Sequence, residues 1–167
     1  MKLAVDVHYR SRTAVAGGVA FRDWSDSRET AVYQSLCREP APYVPGCIFR
    51  RELPCILHLL DEHALTPDTI VVDGFVYLDG GLVQGLGKYL FDALGNRIPV
   101  VGVAKGRYVA APDSLSVYRG KSRRPLYVTS VGMPTSTARD CVLGMHGAYR
   151  NPTLLKRVDQ LSRGMLR

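Results

Sequence analysis

The sequence predicts an α/β fold: a mixed central sheet that begins with an antiparallel meander and is flanked by helices. Three observations predict it. Three short apolar segments follow one another within residues 2–36, and from residue 47 onward helical and strand-like segments alternate. Two later segments, TIVVDGFVYL (69–78) and IPVVGVAKG (98–106), are apolar almost throughout, as in strands covered on both faces. The 167 residues, 46% hydrophobic and 22% charged, suffice for one domain with its own core, and no repeat or linker divides them.

KLAVDVHY (2–9) alternates apolar and polar side chains, the signature of a half-buried strand, and places Asp6 within it. TAVAGGVAF (13–21) and ETAVYQSL (29–36) read as the next two strands. Gly17 and Gly18 mark either a bulge or a close backbone approach. REPAPYVPG (38–46), with three prolines, is a stiff loop. A helix over 47–63 follows, its Ile56, Leu59, Leu60 and His63 at helical spacing and Pro54 expected in its first turn. The strand at 69–78 leads to a helix over 81–94 closed by Gly95, then to the strand at 98–106. Residues 106–124 form a basic loop or edge hairpin, PLYVTSVG (125–132) a strand, and 136–150 and 153–165 two helices.

Net charge is +7, and it is uneven. From Lys105 onward there are twelve Lys and Arg against three Asp, whereas residues 1–104 are slightly acidic. A basic half creates a field that attracts polyanions, although a merely basic surface would show the same count. No apolar run reaches the ~18 residues of a membrane span, so a soluble, cytoplasmic protein is expected. The four cysteines show no metal-binding spacing and read as reduced thiols.

Acids on buried strands need the most explanation. Asp6 lies among apolar neighbours and Asp73 ends the run TIVVDG. Burying a carboxylate costs several kcal/mol unless a charge or a metal compensates. Either Asp6 pairs with a Lys or Arg while Asp73 caps a turn, or the two meet Glu52 from a helix start in an oxygen-rich Mg²⁺ site. Such an ion activates water and neutralises charge on a phosphodiester.

Four blocks bear on that choice. PYVPG (42–46) with Glu52-Leu53-Pro54, VVDG (71–74), VGVAKG (101–106) and the early VDV (5–7) stand in an order and spacing that resembles the endonuclease V family, across about residues 1–132. The resemblance implies a ribonuclease H-like domain over 1–167. It implies Asp6, Glu52 and Asp73 as metal ligands for Mg²⁺, or Mn²⁺ in its place, and Lys105 near the phosphate. It implies Tyr43, stiffened by Pro42 and Pro45, as a wedge in the base stack, with Gly46 and Gly74 letting the backbone approach an extruded base. The family's reaction is hydrolysis of DNA or RNA near a deaminated, inosine-type base.

Departures accompany the match. Where the family has a histidine after VDG, this chain has Asp79 or Gly80. On the last strand, Met133 stands at the histidine position, Pro134 at the basic one and Ala138 at the acidic one. Loss of the histidine and of the fourth carboxylate implies metal affinity weakened by ~10–100-fold each, and with it an alternative: a catalytically impaired relative that still binds nucleic acid. A partner-binding domain on the same scaffold is the third reading. His8, two residues beyond Asp6, shares its strand face, and the stretch RGKSRR (119–124) is available for phosphates or for solvent.

Overall fold

The meander forms as its alternation requires. β1 (Lys2–Arg10), β2 (Thr13–Phe21) and β3 (Ala31–Arg38) pair antiparallel, with Asp6 opposite Gly17. The computed structural model describes residues 1–38 and 40–164. β4 (Thr69–Val72) lies parallel to β1, and β5 (Val100–Ala104) parallel to β4. The two-residue β6 (Ser116–Val117) and β7 (Leu126–Val131) complete the sheet antiparallel to β5, in the order β3-β2-β1-β4-β5-β7-β6.

The two-residue period of the strands divides the core between the faces. Leu3, Val5, Ile70, Val72 and Val100 meet α1 (Phe49–Glu62) and α2 (Leu86–Ala93) through Ile56, Leu59 and Leu90. Ala4, Val71, Val101, Val103 and Val128 meet α3 (Thr135–Leu143) and α4 (Thr153–Arg163) through Val142, Leu154 and Val158. Each such aliphatic side chain contributes about 1.5–3 kcal/mol of burial. Among the described residues no helix is long and apolar enough to cross a membrane, and all four cysteines are free.

Gly17 and Gly18 are a close approach, on both faces at once. A Cβ on Gly18 would stand 3.1 Å from Leu59 of α1, and one on Gly17 would stand 3.1 Å from the backbone nitrogen of Ser162 in α4. Helices therefore seat on β2 from either side at adjacent residues.

Several boundaries differ from the sequence expectation. Pro54 sits in the second turn of α1, not the first, because the helix begins only at Phe49. β4 stops at Val72, since the chain leaves the sheet through Gly74 (φ +148°), and the Val76 amide is taken up by the Thr129 hydroxyl at 2.8 Å. The rest of the apolar run is a loop, with Tyr77 bridged to Gln84. α3 ends at Leu143, where Gly144 caps it and Met145 turns into the core. Gly95 (φ +68°) closes α2 as expected, its amide bonding to Asp92.

Candidate active site

β1 and β4 run parallel with Val5 beside Val72, so the next residue on each strand is an acid: Asp6 and Asp73. The same two-residue period carries Val101 and Val103 of β5 onward to Lys105, on the face of α4. Asp6, Asp73 and Lys105 thus stand on three adjacent strands at the carboxyl ends of the parallel ones, where α/β sheets hold their ligands. They line one cavity with Asp159 of α4.

Glu52, on α1, lines a neighbouring cavity together with Asp73. Its turn is braced by Phe49 stacking on Tyr89 of α2 at 3.9 Å. Burial, then the charges of Asp6 and Asp73, push the Glu52 carboxyl up to about 8. Burial also raises Asp6, against the lowering by a hydrogen bond from Ser162; Asp73 and Asp159 raise it further, and Lys105 opposes them. The charges of Asp6 and Asp73 thus act on Glu52, and that of Asp73 on Asp6.

Lys105 answers part of that repulsion. Its Nζ donates to Asp73 Oδ2 at 2.6 Å and lies 3.7 Å from Asp159 Oδ1. Burial works to lower the Lys105 pKa, but the hydrogen bond and charge of Asp73, with Asp159 and Asp6, outweigh it and raise it. Arg150 fixes the lysine's backbone by donating to its carbonyl and to that of Pro125 at 2.8 Å. Among the described residues no three His, Cys, Asp or Glu side chains are grouped closely enough to hold a metal ion by themselves. An ammonium instead stands between two of the carboxylates. A set of carboxylate oxygens with excess negative charge nevertheless fits a hard divalent cation such as Mg²⁺, which binds through one or two carboxylates and keeps several waters.

Asp159 was not foreseen as a site residue. It lies beyond the four matching blocks, on a helix whose charged neighbours read as a solvated face. The available signal was Asp159 and Ser162 spaced i,i+3 beside the apolar stripe of Leu154, Val158 and Leu161. Ala138 is 0% exposed, a core residue of α3, while α4 brings an acid to the cluster. Met133 likewise packs against the core beneath α3 and α4.

Beside the acids lies a second cavity of about 330 Å³. It is lined by Tyr43, Gly46, Glu52, Asp73 and Gly74, with Phe75 and Tyr108 opposite. Tyr43 is 60% exposed on a loop whose Pro42, Pro45 and Gly46 are also exposed. Gly46 (φ +75°) and Gly74 both have positive φ, and nothing lies within 4 Å of where a Cβ would stand on either. Arg51, read from sequence only as part of the helix start, spans this region: its guanidinium lies 3.9 Å from the Tyr9 ring and 5.9 Å from the Tyr43 ring.

Two other expectations resolve into structural roles. Asp79, near the family's histidine position, accepts the amides of Gly81, Leu82 and Val83 at 3.1, 2.8 and 2.9 Å, which holds its pKa below the ordinary value. It fastens the loop that lines the second cavity through Leu78 and Gln84. Within RGKSRR, Arg119 is buried and donates to the carbonyls of Met145, Gly147, Tyr149 and Arg150, so that residue is a staple and not a phosphate contact.

A mixed seven-stranded sheet flanked by helices, with acids at the carboxyl ends of neighbouring strands, is a ribonuclease H-like fold. The sequence pattern of the Endonuclease V family matches residues 3–143, and the chain belongs to that family. It is 29% identical to an endonuclease V of Streptomyces coelicolor, over 98% of this chain and 78% of that one. The crystal structure of the Streptomyces avermitilis endonuclease V superposes with a TM-score of 0.77 at 26% identity, covering 96% of this chain and 78% of that one. A Ciona intestinalis endonuclease V, in complex with a 24mer DNA containing an inosine followed by a ribo-adenosine, shares the fold. Its TM-score is 0.78 at 19% identity, covering 97% and 84% of the two chains.

Proposed function

We propose that this chain is a Mg²⁺-dependent endonuclease that hydrolyses a phosphodiester bond next to a deaminated, inosine-type base in DNA or RNA. The observation that carries the reading is the acid-lined cavity of Asp6, Asp73 and Asp159, with Glu52 near enough to feel the charges of Asp6 and Asp73. Their mutual repulsion, with Glu52 pushed up to about 8, is what a divalent cation relieves. Asp6, Glu52 and Asp73 would hold it, with Asp159 as a fourth oxygen donor; Mn²⁺ offers the same preference for oxygen ligands. A bound cation supplies Lewis-acid stabilisation of the scissile phosphate and a water of lowered pKa.

The chain's own groups do the rest. The ammonium of Lys105, paired with Asp73, is placed to exchange part of that pairing for a phosphate oxygen. Tyr43 offers a stacking face on a loop that proline has already stiffened, so little entropy is lost when it enters a base stack. The space over Gly46 and Gly74 lets backbone groups approach the edge of an extruded base. The inosine-containing DNA held by the Ciona relative supports this assignment. One domain would carry both halves of the site, in the cytoplasm, and incision of the strand beside a deaminated base is the repair role such an activity would serve.

A second reading, binding without cleavage, is favoured by one observation: the Lys105 ammonium already occupies Asp73. Incubation of a labelled inosine-containing oligonucleotide with Mg²⁺ or Mn²⁺, beside an Asp73→Ala variant, separates the two. Cleavage by wild type that the variant lacks supports the endonuclease. Salt-dependent binding without cleavage by wild type supports the second reading.

A further inference from the structure

We propose that Ser162 is a positioning residue for the metal-binding carboxylate of Asp6, and that the absence of a side chain at Gly17 is what lets it reach. The inference rests on the proposed function and concerns how one of its ligands is held.

The geometry runs through three elements. Asp6 and Gly17 are directly opposed in the antiparallel pair of β1 and β2, and opposed residues project to the same face. That face is covered by α4. A Cβ on Gly17 would meet the Ser162 backbone nitrogen at 3.1 Å and its Cα and Cβ at 3.4 Å each. Glycine therefore opens the space through which the last turn of α4 comes down beside Asp6. Ser162, 0% exposed, uses that space to donate its hydroxyl to Oδ2 of Asp6.

The serine has another acceptor available, the carbonyl of Asp159 at 3.0 Å, which is the bond a buried helical serine ordinarily makes. A hydroxyl has one proton to donate. The ionised carboxylate is the stronger acceptor, so the bond to Asp6 prevails whenever Asp6 carries its charge. With Oδ2 engaged, Oδ1 is left for the cation and the rotation of the carboxylate is fixed. Ser162 is itself held from the sheet: Gln34 of β3 donates to the Leu161 carbonyl at 2.6 Å, and Arg10 of β1 donates to the Arg163 carbonyl. Because Asp159 lies one turn earlier on the same helix, α4 delivers both an acid and the group that orients another acid.

The test uses the full chain and reads Mn²⁺ binding by isothermal titration alongside cleavage of an inosine-containing oligonucleotide. Ser162→Ala is expected to weaken Mn²⁺ affinity by about tenfold, as loss of a hydrogen bond to a ligand does. It should lower kcat at fixed Mn²⁺, leave KM for the oligonucleotide unchanged, and barely alter metal-free thermal stability. Gly17→Ala, which lifts α4, should weaken Mn²⁺ binding further. Wild-type affinity in Ser162→Ala overturns this inference alone, as does a loss of affinity fully matched by a loss of fold. Failure of wild type itself to bind Mn²⁺ overturns the proposed function and this inference together.

Discussion

The two halves of the candidate site are built differently. The acid half stands on strand ends and helix faces: Asp6, Asp73 and Lys105 continue buried strands, and α4 is tied to β1 and β3. The base half is made of loops: residues 40–46, the segment after Gly74 and the turn at Tyr108, with Tyr43 mostly exposed. Chemistry requires carboxylates fixed to within a fraction of an ångström, whereas recognition of an extruded base tolerates, and benefits from, surfaces that order on contact. The halves share Glu52 and Asp73, which line the base cavity and belong to the acid cluster.

If that division is real, variants should fail in separable ways. Asp6→Ala is expected to reduce cleavage by roughly 10³-fold while leaving oligonucleotide affinity nearly intact, measured by single-turnover kinetics beside a filter-binding titration. Parallel loss of both would show that the halves are one unit. Tyr43→Ala should do the reverse, weakening affinity by ~10-fold through loss of one stacking contact and leaving Mn²⁺ binding untouched.

The acid half also predicts a pH dependence. In the metal-free protein Glu52, pushed up to about 8, keeps its proton in the folded state over a range where the unfolded chain has lost it. Its contribution to stability is fully present below the ordinary glutamate pKa and is lost as pH rises towards about 8. Denaturant titrations in a chelator should show a decline of up to a few kcal/mol across that window. Glu52→Gln should flatten it, and an unchanged slope would remove the buried-glutamate account. The smallest effect is expected at Asp79→Ala. Loosening the loop at 79–83 should cost affinity only a few-fold, with cleavage of bound substrate unchanged.

The same division explains what the sequence made legible. β1 and β2 were readable to within a residue because short apolar segments bounded by polar turn residues mark strands, although β2 is buried along almost its whole length. Asp6 and Asp73 were conspicuous because acids seldom interrupt apolar runs. β4 was overextended because VVDGFVYL is apolar beyond its last ladder bond: Phe75 and Val76 bury against the sheet from a loop, which a period-based reading cannot separate from a strand. Asp159 escaped because its partners, Lys105 and Asp6, lie 54 and 153 positions away, and nothing local distinguishes it from a solvent-facing helical acid. The Endonuclease V blocks located the acids, but not the helix that completes them.

The tandem glycines of β2 carry one more implication. Adjacent residues of a strand face opposite ways, so Gly17 and Gly18 gauge the height of α4 and α1 above the two sides of the same slab. Glu52 rides on one of these helices and Asp159 on the other, and both are referenced to a single point of backbone. A methyl group added at either position would tilt only one arm of the caliper, which makes this pair of glycines a place where the spacing of the acids can be tuned from either side without touching an acid.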